Sequence, residues 1–464
     1  MTKAAHSTDH SGLILATSIL SSSLAMIDGS VVNVGLQAIG RELKGSGADL
    51  QWVVNAYLLP LSAILLLGGA LGDRYGRRLI LMIGIGLFTL SSAACALAGT
   101  YPEMFIARAA QGIGAALLLP NSLAVLGDAF EGGARGRAIG IWASTGAIGA
   151  AFGPVIGGAL IDSIGWRAIF LLNLPFALIA LWLAYRYVKD TADQQNTTPL
   201  DLIGATLATG ALAALTWSLT VASGHGKVSA AVWATAAAGV VLFAAFIGVE
   251  ARRKTRAMVP LAMFASKSFV GLSLLTFLIY GVLGGYLVLL PYALIKASHY
   301  SAIAAGSALL PFPVVIGLGS PVTGAIAGRI GSRWPLTIGS LVLTAGLLLA
   351  LRIGEHANYW TEVLPAILVM AVGMSGVAAP LTNAVLSAVD RRHTASASGF
   401  NSAVSRTGGL IATALLGGVF AAENPMPGAR LAIVVSAAAT LLAAACALFL
   451  VDETKPQPAA KVAG

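Results

Sequence analysis

The sequence predicts an all-α polytopic membrane protein: fourteen transmembrane helices, two six-helix bundles with two extra helices inserted between them, and both termini cytoplasmic. Three observations carry this expectation. The chain is 57% hydrophobic and only 10% charged, where a soluble domain carries about 25% charged residues. Fourteen segments reach the length of about 20 apolar residues that a bilayer crossing needs. Two stretches resemble each other at corresponding places, one closing the second segment and one closing the tenth.

The segments are 12–36, 50–72, 79–98, 103–128, 137–161, 168–188, 201–222, 230–250, 268–294, 301–327, 335–352, 361–388, 396–421 and 429–451. A polar tail with Lys3 and Asp9 precedes the first, which is too long for a signal-peptide core and reads as a retained helix. Of the 28 Lys and Arg, 19 fall in the tails and loops on the N-terminal side and seven in loops on the other side, while Arg108 and Arg406 lie within spans. This is the positive-inside bias, and it places the chain in the cell inner membrane with its N-terminus in the cytoplasm. The net charge of +9 is thereby topological and implies no nucleic acid. Cys95 and Cys446 fall inside apolar spans and read as small core residues, not as a disulfide framework.

The related stretches are "GALGDRYGRR" (69–78) and "GAIAGRIGSR" (324–333). Each closes the second helix of a six-helix set, which suggests two parallel repeats. The expected organisation is residues 1–188 as an N-terminal bundle, 189–262 as the inserted pair with its linkers, 263–452 as a C-terminal bundle and 453–464 as a cytoplasmic tail. Polar joints at 189–201 and 250–260 agree with these boundaries. The inserted spans are expected to pack outside the bundles.

Eighteen of the nineteen Asp and Glu fall in loops, at helix ends or in the tail. Asp28, in "AMIDGSVVN" (25–33), alone lies at membrane depth. A carboxylate there costs roughly 2.5–3.5 kcal/mol on insertion scales and is kept for pathways, relays or pairing. Ser21, Asp28 and Gly35 recur every seven residues and share a stripe of the first helix, while Leu20, Ile27 and Val34 form a neighbouring, lipid-ready stripe. Asp28 is accordingly expected to face an interior cavity, either tying helices together or carrying a proton. Apolar surroundings favour a neutral carboxyl and a nearby cation favours the charged form, so a site opened alternately to each side can load and unload a proton. Arg108 could pair with Asp28 or with a substrate anion, or snorkel to the outer interface. Arg406 is its analogue in the second half.

Several motifs in order resemble the major facilitator superfamily. "GALGDRYGRR" resembles its cytoplasmic loop motif, "RAAQGIGAA" (108–116) its fourth-helix motif and "GAIGAAFGPVIGG" (146–158) its fifth-helix antiporter motif. "IDGSVVNVGLQAI" (27–39), "QWVVNAYLL" (51–59) and "WRAIFLLNLP" (166–175) resemble the fourteen-helix drug:proton antiporters of the EmrB/QacA type. The resemblance, spanning about residues 12–451, implies a major facilitator fold and specific roles. Asp28 and Arg108 would couple protons. Asp73, Arg77 and Asp128 would form a conformational latch, with the loop aspartate meeting a helix N-terminus of the other half. Gly149, Gly153, Pro154 and Gly157 would shape the fifth helix at the interface between halves. Ser30 and Gln37 depart from the family pattern, and Gly328 stands where the first loop copy has Asp73, so one latch is expected.

Candidate cavity residues are Asn33, Asn55, Tyr57, Asn121 and Trp142, which could equally be packing residues, and Arg406. No HExxH, GxSxG or GxxxxGK[ST] pattern occurs, so neither hydrolysis nor ATP-driven transport is expected. "HSTDH" (6–10) reads as a solvated tail rather than a metal site. The expected function is proton-coupled efflux of lipophilic small molecules by a monomer, with no cofactor beyond the proton gradient. The alternatives are a dedicated exporter of one endogenous metabolite and a non-transporting scaffold or receptor.

Overall fold

The computed structural model describes residues 10–452 apart from 131, 190–200, 226–228, 254–256, 258 and 390–393. Most of "HSTDH", most of the 189–201 joint and the 453–464 tail therefore lie outside the described residues. Among those described there is no strand, and fourteen helical spans are long and apolar enough to cross a bilayer.

The first six spans are α1 (Ser11–Leu43), α2 (Gly47–Tyr75), α3 (Arg77–Leu97), α4 (Tyr101–Ala129), α5 (Gly132–Ser163) and the broken pair α6 (Arg167–Leu171) and α7 (Asn173–Tyr187). The inserted pair is α8 (Leu202–His225) and α9 (Ala230–Arg253). The last six begin with α10 (Lys267–Lys296), α11 (Ala302–Ala308) continuing as α12 (Pro311–Ile330), and α13 (Arg333–Ala350). They end with α14 (Leu364–Ser387), α15 (Thr394–Ala414) continuing as α16 (Gly417–Ala421), and α17 (Met426–Leu450). An even number of spans brings residues 10 and 452 to one face, here termed the basic face; the opposite one is the far face.

Local chemistry sets the helix ends. Ser46 and Asp49 form a reciprocal capping box at the start of α2, as Thr100 and Glu103 do at α4, satisfying backbone donors that the first turn leaves free. The repeat has a backbone cause. Gly76 (φ 102°) ends α2 and Gly331 (φ 87°) ends α12, and a side chain at either would be strained at that positive φ.

The inserted pair packs outside the two bundles. Asn55 Nδ2 of α2 approaches Thr220 Oγ1 of α8 at 3.4 Å, and Ser223 Oγ donates to the Ala414 carbonyl at 2.8 Å. One face of α9 is widely exposed, including Trp233, Val240 and Val241, as a lipid-facing helix requires. The expectation of a lipid-ready stripe on α1 is corrected. Val34 is 1% exposed, and Ile27 fills the space over Gly149 of α5. Because α1 contacts α4, α5, α7 and α10, this stripe meets protein where lipid was expected.

The two halves close on each other at the far face. Gln51 Nε2 donates to the Thr413 carbonyl at 2.8 Å, and Thr413 Oγ1 donates to Asn55 Oδ1 at 2.6 Å. Asp162, ending α5, accepts from the backbone N–H groups of Ala302 at 3.3 Å and Ile303 at 3.0 Å. A Cβ on Gly306 of α11 would lie 2.5 Å from the Pro154 carbonyl carbon, so only glycine permits this approach. Among the described residues, these hydrogen bonds between the N- and C-terminal bundles lie toward the far face. Toward the basic face two cavities lie between the halves, and Leu66 of α2 still packs against Gly399 of α15.

Gly306→Val is expected to hold the far face open. Spin labels placed on the loops 163–167 and 296–302 should report a longer separation than in the parent protein; an unchanged distance distribution would contradict this packing.

Candidate functional site

Asp28 and Arg108 face each other inside the N-terminal half, each side chain 1% exposed. Arg108 Nη1 donates to Asp28 Oδ2 at 2.5 Å and to Gln111 Oε1 at 2.6 Å, while its Nε donates to the Val53 carbonyl at 3.0 Å. The other carboxylate oxygen, Oδ1, accepts from Gln111 Nε2 at 2.9 Å and Asn173 Nδ2 at 3.1 Å. The same two amides donate to Ser92 Oγ at 2.8 and 3.2 Å. The Tyr57 ring lies 4.3 Å from the guanidinium carbon, and its hydroxyl donates to the Ala25 carbonyl at 3.2 Å. One ion pair thus joins α1 and α4 to α2, α3 and α7. Burying both charges is costly, and such a pair persists only when its remaining lone pairs and protons are satisfied. Here the carboxylate accepts three hydrogen bonds.

This geometry corrects one expectation and removes one alternative. Asp28 faces the interior of the bundle, not a cavity, because Gln111 and Asn173 close over it. Arg108 does not snorkel; its guanidinium stands between Asp28 and a central cavity whose wall it helps form. That cavity, ≈ 390 Å³, lies between the two halves and is lined by α1, α2, α4, α10 and α15. A second space of ≈ 660 Å³, sharing Asn33, Tyr280, Leu283 and Leu287, continues between α5 and α12 to Trp142 and Ser320. Those two residues lie about ten positions, roughly 15 Å of helix, from the basic-face ends of their helices.

Asn33, Tyr57 and Arg406 line the central cavity, and Trp142 lines the second. Asn55 and Asn121 line neither cavity and take the packing alternative. Asn55 is tied to Thr413 and Thr220 at the junction of α2, α8 and α15. Asn121 Nδ2 donates to the Gly68 carbonyl at 2.9 Å and the Leu117 carbonyl at 2.7 Å, clamping α4 onto α2. Both amides bond backbone or hydroxyl groups of neighbouring helices, a packing role.

The loop residues assemble at the basic face. Arg77 donates to Asp73 at 2.9 Å, to the Ala124 carbonyl at 3.1 Å and to Asp128. These partners belong to α2 and α4, so that Arg77, which opens α3, ties three helices of one half together. Among the described residues, Asp73 makes no hydrogen bond or ion pair with a helix of the other half; the loop 390–393 before α15 lies outside them. Gly149, Gly153 and Gly157 were expected between the halves; instead they face Ile27, Ser30 and Val31 of α1, within one half. Pro154 faces the other way, toward Gly306 of α11. Glycines at four-residue spacing fix a helix face but not which neighbour meets it.

Ser92, Gln111 and Asn173 were missed. Gln111 and Asn173 stand in the motifs "RAAQGIGAA" and "WRAIFLLNLP", and their signal was an amide side chain at membrane depth. Among the described residues, no group of three His, Cys, Asp or Glu could hold a metal ion.

Comparison with known proteins adds the following. The family model described as Major Facilitator Superfamily matches residues 18–285 and 272–464. The chain is 35% identical over 409 residues to multidrug resistance protein Stp of Mycobacterium tuberculosis, covering 86% of this chain and 74% of the relative. It is 32% identical over 401 residues to the tetracenomycin C resistance and export protein of Streptomyces glaucescens, covering 86% and 74%. It is also 32% identical over 416 residues to the methylenomycin A resistance protein of Bacillus subtilis, covering 89% and 88%. Among solved structures, the inward-facing, occupied form of a bacterial homolog to the human lysosomal transporter Spinster superposes with a TM-score of 0.68 at 17% identity, covering 96% of this chain and 99% of that one. A POT family transporter superposes with a TM-score of 0.69 at 16% identity, covering 93% and 94%.

Arg108→Met should strand the Asp28 carboxylate and lower stability by about 3–5 kcal/mol. Adding Asp28→Asn should recover most of that loss, read as thermal unfolding in detergent. Additive losses in the double variant would show that the two charges are not coupled.

Proposed function

The chain belongs to the Major Facilitator Superfamily, and from that premise we propose that it exports lipophilic small molecules in exchange for protons. It is a multi-pass membrane transporter, not an enzyme. The proposal places it in the bacterial inner membrane with the basic face cytoplasmic. Supporting that orientation, Arg74, Arg77, Arg78, Arg135, Arg137, Arg252 and Arg253 all lie at the basic face. One chain supplies both walls of the cavity, which supports action as a monomer, and the proton gradient is the only energy source invoked.

A single observation carries the reading: the one carboxylate at membrane depth is held by an arginine whose other side forms the cavity wall. Substrate enters between α5 and α12 from the cytoplasm or inner leaflet while Asp28 is paired with Arg108. The halves then rock about the cavity, closing the basic face and opening the far face. Reshaping the wall draws Arg108 from Asp28. A carboxylate left in apolar surroundings without its cation takes a proton, and it releases that proton to the cytoplasm when the pair re-forms. The names of the relatives, multidrug resistance and antibiotic resistance and export proteins, support an exporter of drug-like compounds.

Asp28→Asn keeps the size and hydrogen-bonding capacity of the side chain but cannot titrate. In everted vesicles with an acid interior, the parent protein should concentrate a substrate from a panel of lipophilic antibiotics, and the variant should not. The variant should still exchange labelled for unlabelled substrate with no gradient imposed. Gradient-driven accumulation by the Asn variant would overturn proton coupling through Asp28.

A further inference from the structure

The charge on the wall of the central cavity is not balanced. Its lining contains two arginines and no carboxylate. Arg108 is neutralised by Asp28, and its Nε and Nη1 donate to the Val53 carbonyl, Asp28 and Gln111. Arg406, on α15, has no ion pair and no hydrogen bond recorded with any described residue. A guanidinium at membrane depth ordinarily pairs with a counter-charge or faces a polar pathway. This one lies on the path between the halves with its five N–H donors uncommitted.

Its surroundings narrow what could satisfy it. Ser402, Ser405, Arg406, Gly409 and Thr413 recur at helical spacing and share the cavity-facing side of α15. The hydroxyls of this stripe already donate: Ser402 to the Ser398 carbonyl, Ser405 to the Ser402 carbonyl and Thr413 to Asn55. Arg406 is thus the strong donor left on this face. Opposite it the wall is largely apolar, with Leu283, Leu287 and Val288 of α10 and Val54 and Leu58 of α2, and its further polar residues, Asn33 of α1 and Tyr280 of α10, carry no charge. An occupant matched to these walls has an apolar body and a negatively charged or strongly accepting head.

We propose that Arg406 is a ligand-binding residue and that the central cavity selects lipophilic anions over lipophilic cations. The anion seats on Arg406 and leaves Asp28 paired with Arg108, so ligand and proton do not share one group. Their exchange is then enforced by the conformational cycle rather than by competition for a carboxylate. Identifying the anion with a transported substrate rests on the export reading above; the charge selectivity of the cavity does not.

Tetraphenylborate and tetraphenylphosphonium, matched in shape and opposite in charge, are the probes, titrated against the full-length protein in uncharged detergent with no pH gradient. Their binding is read by tryptophan fluorescence and by calorimetry. The parent protein should bind the borate at least about tenfold more tightly, the effect of one unscreened opposite charge in a low-dielectric site. Arg406→Gln should bring the two probes to within about twofold of each other, a ratio set by the walls alone. Arg406→Lys, which keeps the charge, should retain the preference and guards against a folding defect in the Gln variant. Asp28→Asn should retain it too, so loss of gradient-driven transport and loss of anion selectivity fail separately. Equal or tighter phosphonium binding by the parent protein, or an anion preference that survives in Arg406→Gln, would overturn the assignment.

Discussion

The Asp28–Arg108 ion pair, out of contact with water, constrains the rest of the N-terminal half. Removing both charges from water demands that every remaining lone pair and proton be satisfied, and the demand recruits Gln111, Asn173, Ser92 and the Val53 carbonyl from four further positions. Helices α1, α2, α3, α4 and α7 are thereby held in one register. The aromatic cover from Tyr57, on the cavity side, shields the guanidinium while leaving it at the wall. A change in cavity shape therefore acts directly on the partner of the buried acid.

The same economy of contact suits the movement that the proposed cycle requires. At the far face the halves meet through backbone surfaces bared by glycine, as where Gly306 lies against Pro154, and through the Asp162 carboxylate on the first N–H groups of α11. A carboxylate on a helix N-terminus contributes about 0.3–2 kcal/mol depending on burial, enough to bias a conformation and too little to lock it. Within each half the contacts are of another kind. The buried ion pair and the Asn121 clamp between α2 and α4 belong to a rigid body. Rigid halves with a weakly closed seam are what rocking about a central cavity requires.

Most of the architecture was legible in the sequence because span length and charge asymmetry are bulk properties. The inserted pair could be placed outside the bundles from its polar joints, and Asp28 could be singled out because acids are so rare at membrane depth. What was not legible were directions. Seven-residue spacing put Asp28 on a stripe of α1 without saying that α4 and α7 would close over it. The same pattern assigned Ile27 and Val34 to lipid, although α1 is surrounded by protein. Gln111 and Asn173 looked like ordinary amides until their partner was in place, while Asn55 and Asn121 could have lined a cavity or packed helices and in the structure join helices. Polar residues within spans announce that something is paired; only the three-dimensional arrangement says with what.

The central claim is that Asp28 exchanges a proton when Arg108 leaves it. Infrared difference spectroscopy of the reconstituted protein, stepped between neutral and acid pH, observes a protonated carboxyl directly through its C=O stretch. The account predicts a protonated-carboxyl band that appears on acidification, disappears in Asp28→Asn and appears already at neutral pH in Arg108→Met, where the carboxylate has lost its cation. A band unchanged by Asp28→Asn, or no such band at any pH at which the protein remains folded, would show that Asp28 is a fixed structural charge.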